Sequence, residues 1–403
     1  MKKSILHLDM DTFFVSVERQ LDSRLKHKPI LVGGSGDRGV VAACSYETRK
    51  FGIHSGMSIK LAKILCPHAI TIKGDSSNYM KFSSMVTEII QEAVPLFEKT
   101  SIDEFYADLT GMDKFFGTYK FSKELRHKII SHTGLPISFG LSENKIVSKV
   151  ATGEAKPNNQ MWINYGREKE FLSPLSIQKL PMIGKSTATT LRNLGIFQIG
   201  MLQQMPVELL RSLLGKNGIT IWNRANGIDN SPVIQHTERK SISTERTFHL
   251  DTTDIIRLKA IITAMSEHLT YQLRNENKLT GCISIKIRYS DFSTYTKQLK
   301  IPYSSADHII LPKIIELFDN LYNRRLLVRL IGVRFSNLTG GHYQIDLFDD
   351  NSKTINLYKS LDQLRNKFGP AIVMKASTIE VKTVRDRRNP FHKEPMLYAN
   401  RKR

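Results

Sequence analysis

The stretch SILHLDMDTFF, residues 4–14, places a short apolar run directly before the carboxylate of Asp9. A run of this length fits a buried β-strand. A second stretch, TSIDEFYADL, covers residues 100–109 and predicts two short strands that turn at Asp103 and Glu104. These two stretches decide the fold, because together they supply three strands of one predicted sheet.

The segments around these stretches complete a pattern of six elements. Apolar residues at helical spacing predict helices over residues 75–94 and 119–130, and residues 136–141 predict another strand. The order is then β-α-β-β-α-β, the ferredoxin-like pattern of an α+β domain. Residues 20–73 stand outside this pattern, contain a Gly-rich turn at residues 33–36, and are interpreted as an inserted subdomain.

The remainder of the chain has a different character. Residues 166–230 contain short helical stretches punctuated by glycines, and the polar residues 231–240 are typical of a linker. Residues 241–340 follow a strand-helix-strand pattern, and residues 341–403 form a tail with a basic end. At about 100–200 residues per domain, a chain of 403 residues accommodates two to four domains.

The charge balance narrows the class of partner. Lysine and arginine number 59 against 38 aspartate and glutamate, which leaves a net charge of +21 and points to nucleic acid or an anionic membrane surface. No apolar run approaches the ~20 residues that a membrane-spanning helix needs. Charges near the start argue against a signal peptide, and three cysteines without CxxC spacing argue against disulfides or a zinc ribbon. We therefore expect a cytoplasmic protein.

The acids Asp9, Asp103 and Glu104 are the most informative about chemistry. In a ferredoxin-like sheet the first and third strands are adjacent and antiparallel, so these carboxylates converge on one sheet edge. Three carboxylates at such short distances repel one another unless cations neutralise their charge, and hard oxygen ligands favour Mg²⁺. Two such ions are suited to an in-line displacement at phosphorus. The alternative is that each acid lies on a solvated turn, and Asp11, beyond the strand end, is expected to face elsewhere.

The acids belong to a set of motifs spread along the chain. These are LDMDTFF at residues 8–14, YETRKFG at 46–52, SIDE at 101–104, AKPN at 155–158 and KSISTE at 240–245. Together they resemble the signature of the Y family of translesion DNA polymerases, over roughly residues 4–340. The resemblance implies template-directed, error-prone synthesis in which a primer 3′-hydroxyl attacks the α-phosphorus of a dNTP. No second acidic cluster suited to a proofreading nuclease is evident, so we expect none.

The resemblance also implies a right-hand architecture for the chain. It has a ferredoxin-like palm, a small fingers insertion, a helical thumb with a helix-hairpin-helix, and an α/β little finger. The expected boundaries are palm 1–19 and 74–165, fingers 20–73, thumb 166–230, linker 231–240, little finger 241–340 and C-terminal tail 341–403.

The family's metal and sugar contacts fall on the first motif and the SIDE motif. The resemblance makes Asp9, Asp103 and Glu104 the ligands of two Mg²⁺ ions, with the backbone carbonyl of Met10 completing a site. It makes Phe14 the steric gate, a ring under the sugar of the incoming nucleotide that rejects a 2′-hydroxyl. Phe13, which adjoins the gate, is a candidate nucleotide contact; the alternative is that both phenylalanines are core residues.

Three further side chains are candidates for the triphosphate. Tyr46 and Arg49 lie three residues apart and share one face of a helix that Ser45 could cap. A hydroxyl beside a guanidinium suits phosphate oxygens, and the family places both on the β- and γ-phosphates. Lys156 precedes a proline and would close a helix from Asn144, and in the family it reaches the triphosphate as a point charge. The alternative for each is an ordinary surface side chain.

Residues 180–196, LPMIGKSTATTLRNLGI, resemble a helix-hairpin-helix. Such a hairpin presents backbone N–H groups at a helix start to a DNA phosphate, and Gly184 and Lys185 occupy that start. Met182 occupies the first glycine position of the family's Pro-Gly-Ile-Gly, and its side chain opposes close backbone approach. The alternative is a hairpin with a purely structural role.

Basic side chains beside and within the predicted little-finger strands are expected to contact DNA phosphates. Alternation along a strand places Lys286 and Arg288 on one face. A basic strand face can also be merely solvated. The candidate DNA contacts are Lys240, Lys286, Arg288, Arg329 and Arg334.

The tail carries a candidate partner motif. Gln344, Leu347 and Phe348 follow the last predicted domain and resemble the bacterial sliding-clamp peptide, although the segment could instead be a strand or pack on the tail. An apolar stripe then predicts a short amphipathic helix of unknown partner. The stripe residues are Leu357, Leu361, Leu364 and Phe368. We expect a monomer whose partners are primer-template DNA, dNTPs and the clamp.

Two other classes of function remain open. A nucleotidyl cyclase uses a similar palm and two metals, but it needs no DNA-binding hairpin, little finger or charge of +21. A non-catalytic DNA-binding scaffold would be favoured only if the acids were missing. Primer extension with Mg²⁺ and dNTPs, set against cyclic-nucleotide formation from NTPs, distinguishes the classes.

Overall fold

The computed structural model describes residues 3–34, 36, 38–112, 117–235, 238–341, 352–369 and 372–379. The described residues divide into two compact units: the first ends before residue 238 and the second begins there. Each unit has its own hydrophobic core. No helix within the described ranges is long and apolar enough to cross a membrane.

The first unit contains a larger and a smaller sheet with helices packed on them. Its strands are β1 (Ile5–Met10), β2 (Ile30–Gly33), β3 (Val41–Cys44), β4 (Ile70–Ile72), β5 (Phe97–Lys99), β6 (Glu104–Asp108), β7 (Ile137–Ser142) and β8 (Gln160–Trp162). Its helices are α1 (Phe13–Leu21), α2 (Tyr46–Arg49), α3 (Ile59–Leu65), α4 (Ser76–Ala93), α5 (Thr118–Thr133), α6 (Lys145–Ala155), α7 (Glu168–Leu172), α8 (Lys185–Asn193), α9 (Ile199–Gln204), α10 (Val207–Leu214) and α11 (Lys216–Ala225).

Strand β1 lies at the centre of the larger sheet, whose order is β5-β6-β1-β7-β8. It runs antiparallel to both β6 and β7, which confirms the predicted ferredoxin-like arrangement. Leu6, Leu8 and Met10 lie in the core with side chains of α1, α4 and α5. The alternate residue His7 bonds Thr152 of α6 at 2.8 Å between Nδ1 and Oγ1. By the same alternation Asp9 lies on the α6 face of the sheet.

The turn between β5 and β6 differs from the prediction. Strand β5 ends at Lys99, the turn covers residues 100–103, and Glu104 is already the first residue of β6. The cause is Ser101, whose Oγ accepts hydrogen bonds from the N–H groups of Asp103 at 3.3 Å and Glu104 at 3.0 Å. The turn therefore lies earlier in the chain than predicted, and Glu104 belongs to the strand rather than to the turn.

The smaller sheet occupies part of the segment that the sequence sets apart from the palm pattern. Its order is β3-β2-β4, with β2 antiparallel to β3 and parallel to β4. Leu31, Val41 and Ile59 belong to a core cluster of its own. Helix α2 is capped as predicted, because Ser45 Oγ accepts from the N–H of Thr48 at 3.4 Å.

Helices α7 to α11 form a further cluster that also includes side chains of α6. The chain that follows contacts the larger sheet. Glu98 of β5 accepts hydrogen bonds from the N–H of Ile234 at 2.9 Å and from Lys145 Nζ at 2.6 Å. Val233 packs with Ile5 and Tyr106. Residues 233–234 of the predicted linker are thus attached to the larger sheet.

The second unit is an antiparallel sheet covered by helices. Its elements are β9 (Ser241–Thr252), α12 (Ile255–Asn275), β10 (Lys278–Tyr289), β11 (Thr294–Ser304), α13 (Asp307–Leu321), β12 (Val328–Gly340) and α14 (Ser352–Phe368). The strand order is β11-β10-β12-β9. Ile283, Ile285 and Ile287 alternate into a core with α12 and α13, as the predicted alternating strand requires.

The tail helix α14 docks on this unit through polar side chains. Arg274 of α12 is buried and bonds Asp362 of α14 at 2.6 Å and Asp307 at 2.9 Å. Tyr358 is also buried, and its hydroxyl accepts from the N–H of His308 at 3.1 Å. The apolar stripe from which the sequence predicts this helix is not the docked face. Its exposed members are Leu357, Leu364 and Phe368.

Candidate active site

The strand register gathers the predicted acids at the edge of the larger sheet where β1 ends and β6 begins. Asp9 on β1 lies directly opposite Glu104 on β6. The carbonyl of Asp103 accepts a hydrogen bond of 3.1 Å from the N–H of Met10, the last residue of β1. The acids come together because β1 and β6 are antiparallel neighbours, although about 94 residues separate Asp9 from Asp103 in sequence.

Each of these carboxylates already has a partner. Lys156 forms an ion pair with Asp9, and Lys149 bonds both carboxylate oxygens of Glu104, at 2.8 and 2.7 Å. Asp103 accepts a hydrogen bond of 2.5 Å from Ser101 Oγ. Lysines therefore partly balance the charge of this edge.

The pKa values of two of these acids are raised, mainly by burial and in smaller part by the neighbouring carboxylates. Burial raises the pKa of Asp9 to about 7; the Lys156 ammonium opposes this rise, and the carboxylates of Glu104 and Asp103 add to it. Burial also raises the pKa of Asp103, with Glu104 acting in the same direction. The three acids Asp9, Asp103 and Glu104 face two lysines, Lys149 and Lys156, so the edge is short of positive charge.

The donor chemistry of this edge fits a hard divalent cation. Carboxylate oxygens with unbalanced repulsion are the ligands that Mg²⁺ prefers. Within the part of the chain that the structure describes, no three His, Cys, Asp or Glu side chains are gathered in a metal-binding group. Two of the three acids are held by Lys149 and Lys156 instead.

Asp11 connects the loops around the site. Its side chain is buried. It accepts hydrogen bonds from Tyr46 Oη at 3.4 Å, Ser138 Oγ at 2.9 Å and the N–H of Asn158 at 2.5 Å. Its Oδ1 lies 3.8 Å from Lys156 Nζ. The position of Asp11 beyond the strand end predicts that it faces elsewhere, but the structure places its carboxylate beside Lys156, the partner of Asp9. The DxD spacing was the available signal, but only the fold brings these partners to it.

The two phenylalanines begin helix α1, directly after Thr12, which has a left-handed φ of 42°. Phe13 and Phe14 are both buried. The Phe14 ring stacks on Tyr79 with ring centroids 4.3 Å apart and an interplanar angle of 16°. Tyr79 in turn donates a hydrogen bond of 2.5 Å to Glu18. Tyr79 fixes one face of the Phe14 ring, a role that its place in the predicted helix over residues 75–94 does not indicate.

Tyr46 and Arg49 share a face of α2, as their spacing predicts. The guanidinium of Arg49 lies over the Tyr46 ring, 5.0 Å from its centroid. Glu47 of the same helix pairs with Arg19 of α1 at 2.9 Å. The hydroxyl of Tyr46 and the ammonium of Lys156 both approach Asp11, so two of the three predicted triphosphate contacts converge.

A cleft of about 690 Å³ opens above Asp9. Its walls are formed by α6 and the loop at residues 178–184, and both Lys149 and Lys156 line it. Lys156 is the C-cap of α6, and Asn144 is its N-cap, accepting from the N–H of Val147 at 3.0 Å. The helix therefore ends where the sequence predicts. Lys149, which no motif in the sequence marks, lies two turns earlier on the same side of α6.

The loop that forms the far wall belongs to the predicted hairpin. Gly184 is the N-cap of α8 and Lys185 its first residue. Apart from its own neighbours in the chain, no atom of the described residues lies within 4 Å of the place where a Cβ on Gly184 would be, so this backbone is open to a ligand. Met182 has a φ of 79°, the left-handed conformation that glycine tolerates best, and its side chain is 54% exposed.

We expect Met182→Gly to stabilise the protein by about 0.5–1 kcal/mol, because relief of left-handed strain outweighs the entropy that glycine adds to the unfolded chain. Removal of the side chain should also raise affinity for primer-template DNA a few-fold, because the hairpin backbone becomes accessible. Thermal unfolding and a DNA titration measure the two effects. Met201→Gly is the matched control: its side chain is also exposed, but it lies within α9, so the substitution should destabilise by about 1 kcal/mol. A destabilised Met182→Gly would contradict the strain argument.

The predicted DNA contacts of the second unit lie on or beside its strands. On β10, Lys286 and Arg288 alternate with the core isoleucines and therefore lie on the face away from the core. Arg334 of β12 lies on the same face, because the register sets it opposite Ser284, which precedes Lys286 by two residues. Lys286 pairs with Glu245 at 2.5 Å, and Arg288 donates to Thr294 at 2.9 Å.

The other two basic residues are placed differently. Arg329 lies over the ring of Phe292, 4.5 Å from its centroid. Lys240 is exposed just before β9. The clamp-like residues Gln344, Leu347 and Phe348 lie outside the described residues, so that prediction stands on the sequence alone.

Comparisons with known proteins agree on one family. Models of the impB/mucB/samB family match residues 8–153, the IMS family HHH motif matches residues 165–196, and the impB/mucB/samB family C-terminal domain matches residues 239–347. DNA polymerase IV of Dehalococcoides mccartyi is 38% identical over 384 residues, which is 94% of this chain and 98% of the relative. DNA polymerase IV of Treponema denticola is 31% identical over 385 residues, with the same two shares.

A solved structure supports the same assignment. A Y-family DNA polymerase chimera of Dbh and Dpo4 has a TM-score of 0.76 and 25% identity, and the match covers 84% of this chain and all of that one. The fold and the matched models together define the class as a Y-family polymerase. The chain belongs to the DNA polymerase IV type of that family and is a DNA-directed DNA polymerase.

Proposed function

We propose that the chain carries out error-prone translesion synthesis, with Asp9, Asp103 and Glu104 holding two Mg²⁺ ions together with the Met10 carbonyl. The observation that carries the proposal is the register of Asp9 opposite Glu104 at an edge short of positive charge. Polymerases of this family generally depend on divalent metal ions, which supports the same reading.

The proposed reaction forms a bond from the primer 3′-oxygen to the α-phosphorus of a dNTP. The bond from that phosphorus to the bridging oxygen breaks, pyrophosphate leaves with the electron pair, and the proton of the primer hydroxyl passes to the Glu104 carboxylate or to solvent. When bound, the two ions would neutralise phosphate charge and lower the pKa of the primer hydroxyl. The chain contributes by fixing its carboxylates on rigid neighbouring strands, so that little reorganisation is needed when charge develops.

The incoming nucleotide is proposed to lie between α1, α2 and the end of α6. Phe14 supports the sugar and excludes a 2′-hydroxyl, since its ring is held from behind by Tyr79. Tyr46, Arg49 and Lys156 contact the triphosphate. The convergence of Tyr46 and Lys156 on the buried Asp11 supports this assignment, because one carboxylate orients both.

DNA is proposed to be held by its backbone rather than read by sequence. The proposed thumb, residues 166–230, contributes the hairpin start at Gly184 and Lys185. The proposed little finger, residues 241–340, contributes a basic strand face. A net charge of +21 supports this mode of binding. The proposed palm consists of residues 1–19 and 74–165, and the proposed fingers consist of residues 20–73.

We propose no proofreading activity, a monomeric state and a cytoplasmic location. The sequence shows no second acidic cluster suited to a proofreading nuclease, which supports the first of these proposals.

Primer extension tests the proposed activity directly. With Mg²⁺ and dNTPs the protein should extend a primer on undamaged templates and on templates with defined lesions, and should form no cyclic nucleotide from NTPs. Cyclic-nucleotide formation without extension would favour the cyclase class. Degradation of a mismatched primer end would contradict the absence of proofreading.

The clamp-like residues yield a separate prediction. Leu347→Ala combined with Phe348→Ala should cut affinity for a bacterial sliding clamp at least ~10-fold, because each buried apolar anchor contributes about 1–3 kcal/mol. Surface plasmon resonance on immobilised clamp measures this. Extension of short primers without the clamp should be unchanged.

The double variant Leu357→Ala with Leu364→Ala is the matched control, because it removes exposed apolar side chains from the nearby helix α14. It should retain clamp affinity. Equal clamp affinity of the wild type and the Leu347/Phe348 variant would contradict the docking proposal. A lowered melting temperature with weakened clamp-free activity would favour the packed-segment alternative.

A further inference from the structure

Helix α6 carries a row of lysines across the acidic side of the palm sheet. Lys145, Lys149 and the C-cap Lys156 are four and seven residues apart, so they project from the same side of the helix. Their partners lie on three neighbouring strands, β5, β6 and β1. The ion pairs are Lys145 with Glu98, Lys149 with Glu104, and Lys156 with Asp9.

The Lys149 pair differs from a casual surface contact. Its ammonium bonds both oxygens of Glu104, at 2.8 and 2.7 Å, and both side chains are about one-quarter to one-third exposed. Lys149 lines the same cleft as Asp9 and Lys156. Its reach is set by α6, whose Ser148 and Thr152 donate to the carbonyls of Ile5 and His7 on β1, at 2.7 and 3.2 Å.

A carboxylate whose two oxygens are both bonded to an ammonium has reduced capacity to bind a metal ion. Either the ammonium moves away when the metal arrives, or the metal binds less tightly. Charge balance acts in the same direction, since Lys149 partly offsets the repulsion that a divalent ion would otherwise relieve.

We propose that Lys149 is a positioning residue that holds Glu104 at the sheet edge in the metal-free enzyme and competes with the metal for it. Lys149 thereby lowers the divalent-cation affinity of the enzyme when no DNA or nucleotide is bound. The inference rests on the proposed metal-binding role of Asp9, Asp103 and Glu104.

Binding of Mn²⁺ to the full-length protein, without DNA or dNTP, tests this competition. The electron paramagnetic resonance signal of free Mn²⁺ reports the affinity directly and does not depend on activity. Lys149→Met should bind Mn²⁺ about tenfold more tightly than the wild type, because the competing cation is gone. Lys149→Arg should stay within about threefold of the wild type, because a guanidinium can make the same two-oxygen contact.

Lys145→Met is the matched control, because it breaks an ion pair of the same row whose carboxylate, Glu98, is not a proposed metal ligand. Its Mn²⁺ affinity should stay within about threefold of the wild type. Equal or weaker binding by Lys149→Met overturns the inference while leaving the metal site intact. Absence of Mn²⁺ binding in both the wild type and Lys149→Met overturns the proposed metal site and the inference with it.

Lysine labelling of the wild-type protein provides a test that needs no folded variant. Reductive methylation followed by mass spectrometry should modify Lys149 several-fold more when Mn²⁺ is saturating, because the ammonium is released from Glu104. Labelling of Lys145 should not change, which provides an internal reference. Labelling of Lys149 that is independent of Mn²⁺ overturns the inference.

Discussion

Asp103→Ala is expected to abolish primer extension, with a loss on the order of 10³-fold or more, or about 4 kcal/mol in the barrier. The physical reason is that one of three carboxylates proposed to hold the metal ions is removed from an edge already short of positive charge. DNA affinity should remain within a few-fold, since basic surfaces rather than the acids supply it. Single-turnover extension and a DNA titration measure the two quantities separately.

Asp108→Ala is the matched control for this experiment. Asp108 lies at the other end of β6 and accepts a hydrogen bond of 2.9 Å from the N–H of Thr110. Its loss should change extension by no more than about threefold, with a small loss of stability. Near-normal extension by Asp103→Ala would refute the two-metal assignment, whereas equal losses in both variants would indicate a folding defect of β6.

Phe14→Val is expected to admit ribonucleotides. Removal of the ring frees the space that a 2′-hydroxyl would occupy, and a packed ring contact can shift discrimination by several kcal/mol. The ratio of kcat/KM for dNTP to that for rNTP should therefore fall by about 10²-fold or more. Steady-state incorporation opposite one template base, with each nucleotide in turn, measures the ratio.

Phe13→Val separates the gate from its structural surroundings. Phe13 is also buried at the start of α1, and its ring centroid lies 6.3 Å from that of Tyr79, against 4.3 Å for Phe14. Both substitutions should lower stability through lost packing, by about 1–3 kcal/mol. Only Phe14→Val should change sugar discrimination. A changed ratio in Phe13→Val with an unchanged ratio in Phe14→Val would transfer the gate to Phe13.

In the tail helix, the face that packs on the protein differs from the face that the apolar pattern marks. An apolar stripe predicts α14, and the helix forms, yet Tyr358 and Asp362 are the side chains that dock. The buried Arg274 decides this, because an arginine with two aspartates within 3 Å needs both to offset its burial. Hydrophobic spacing identifies a helix, but it does not identify the face that a charged partner selects.

The sequence by itself determined the features that depend on local chemistry or on topology alone. The cap at Ser45, the end of α6 at Lys156 and the shared face of Lys286 and Arg288 on β10 follow from neighbouring residues. The shared edge of Asp9, Asp103 and Glu104 followed from the β-α-β-β-α-β order, since that order makes the first and third strands neighbours.

Only the tertiary structure decided which side chains meet. Lys149 bonds Glu104 across 45 residues, Tyr79 bonds Glu18 across 61, and Asp11 holds the loop at Asn158 across 147. Such contacts depend on the rotation of a helix about its axis and on its height above a sheet, to within about an ångström. Spacing along a chain carries no information at that precision. The packing of α6 on β1 therefore determines where the Lys149 ammonium reaches Glu104, one of the acids proposed to bind metal.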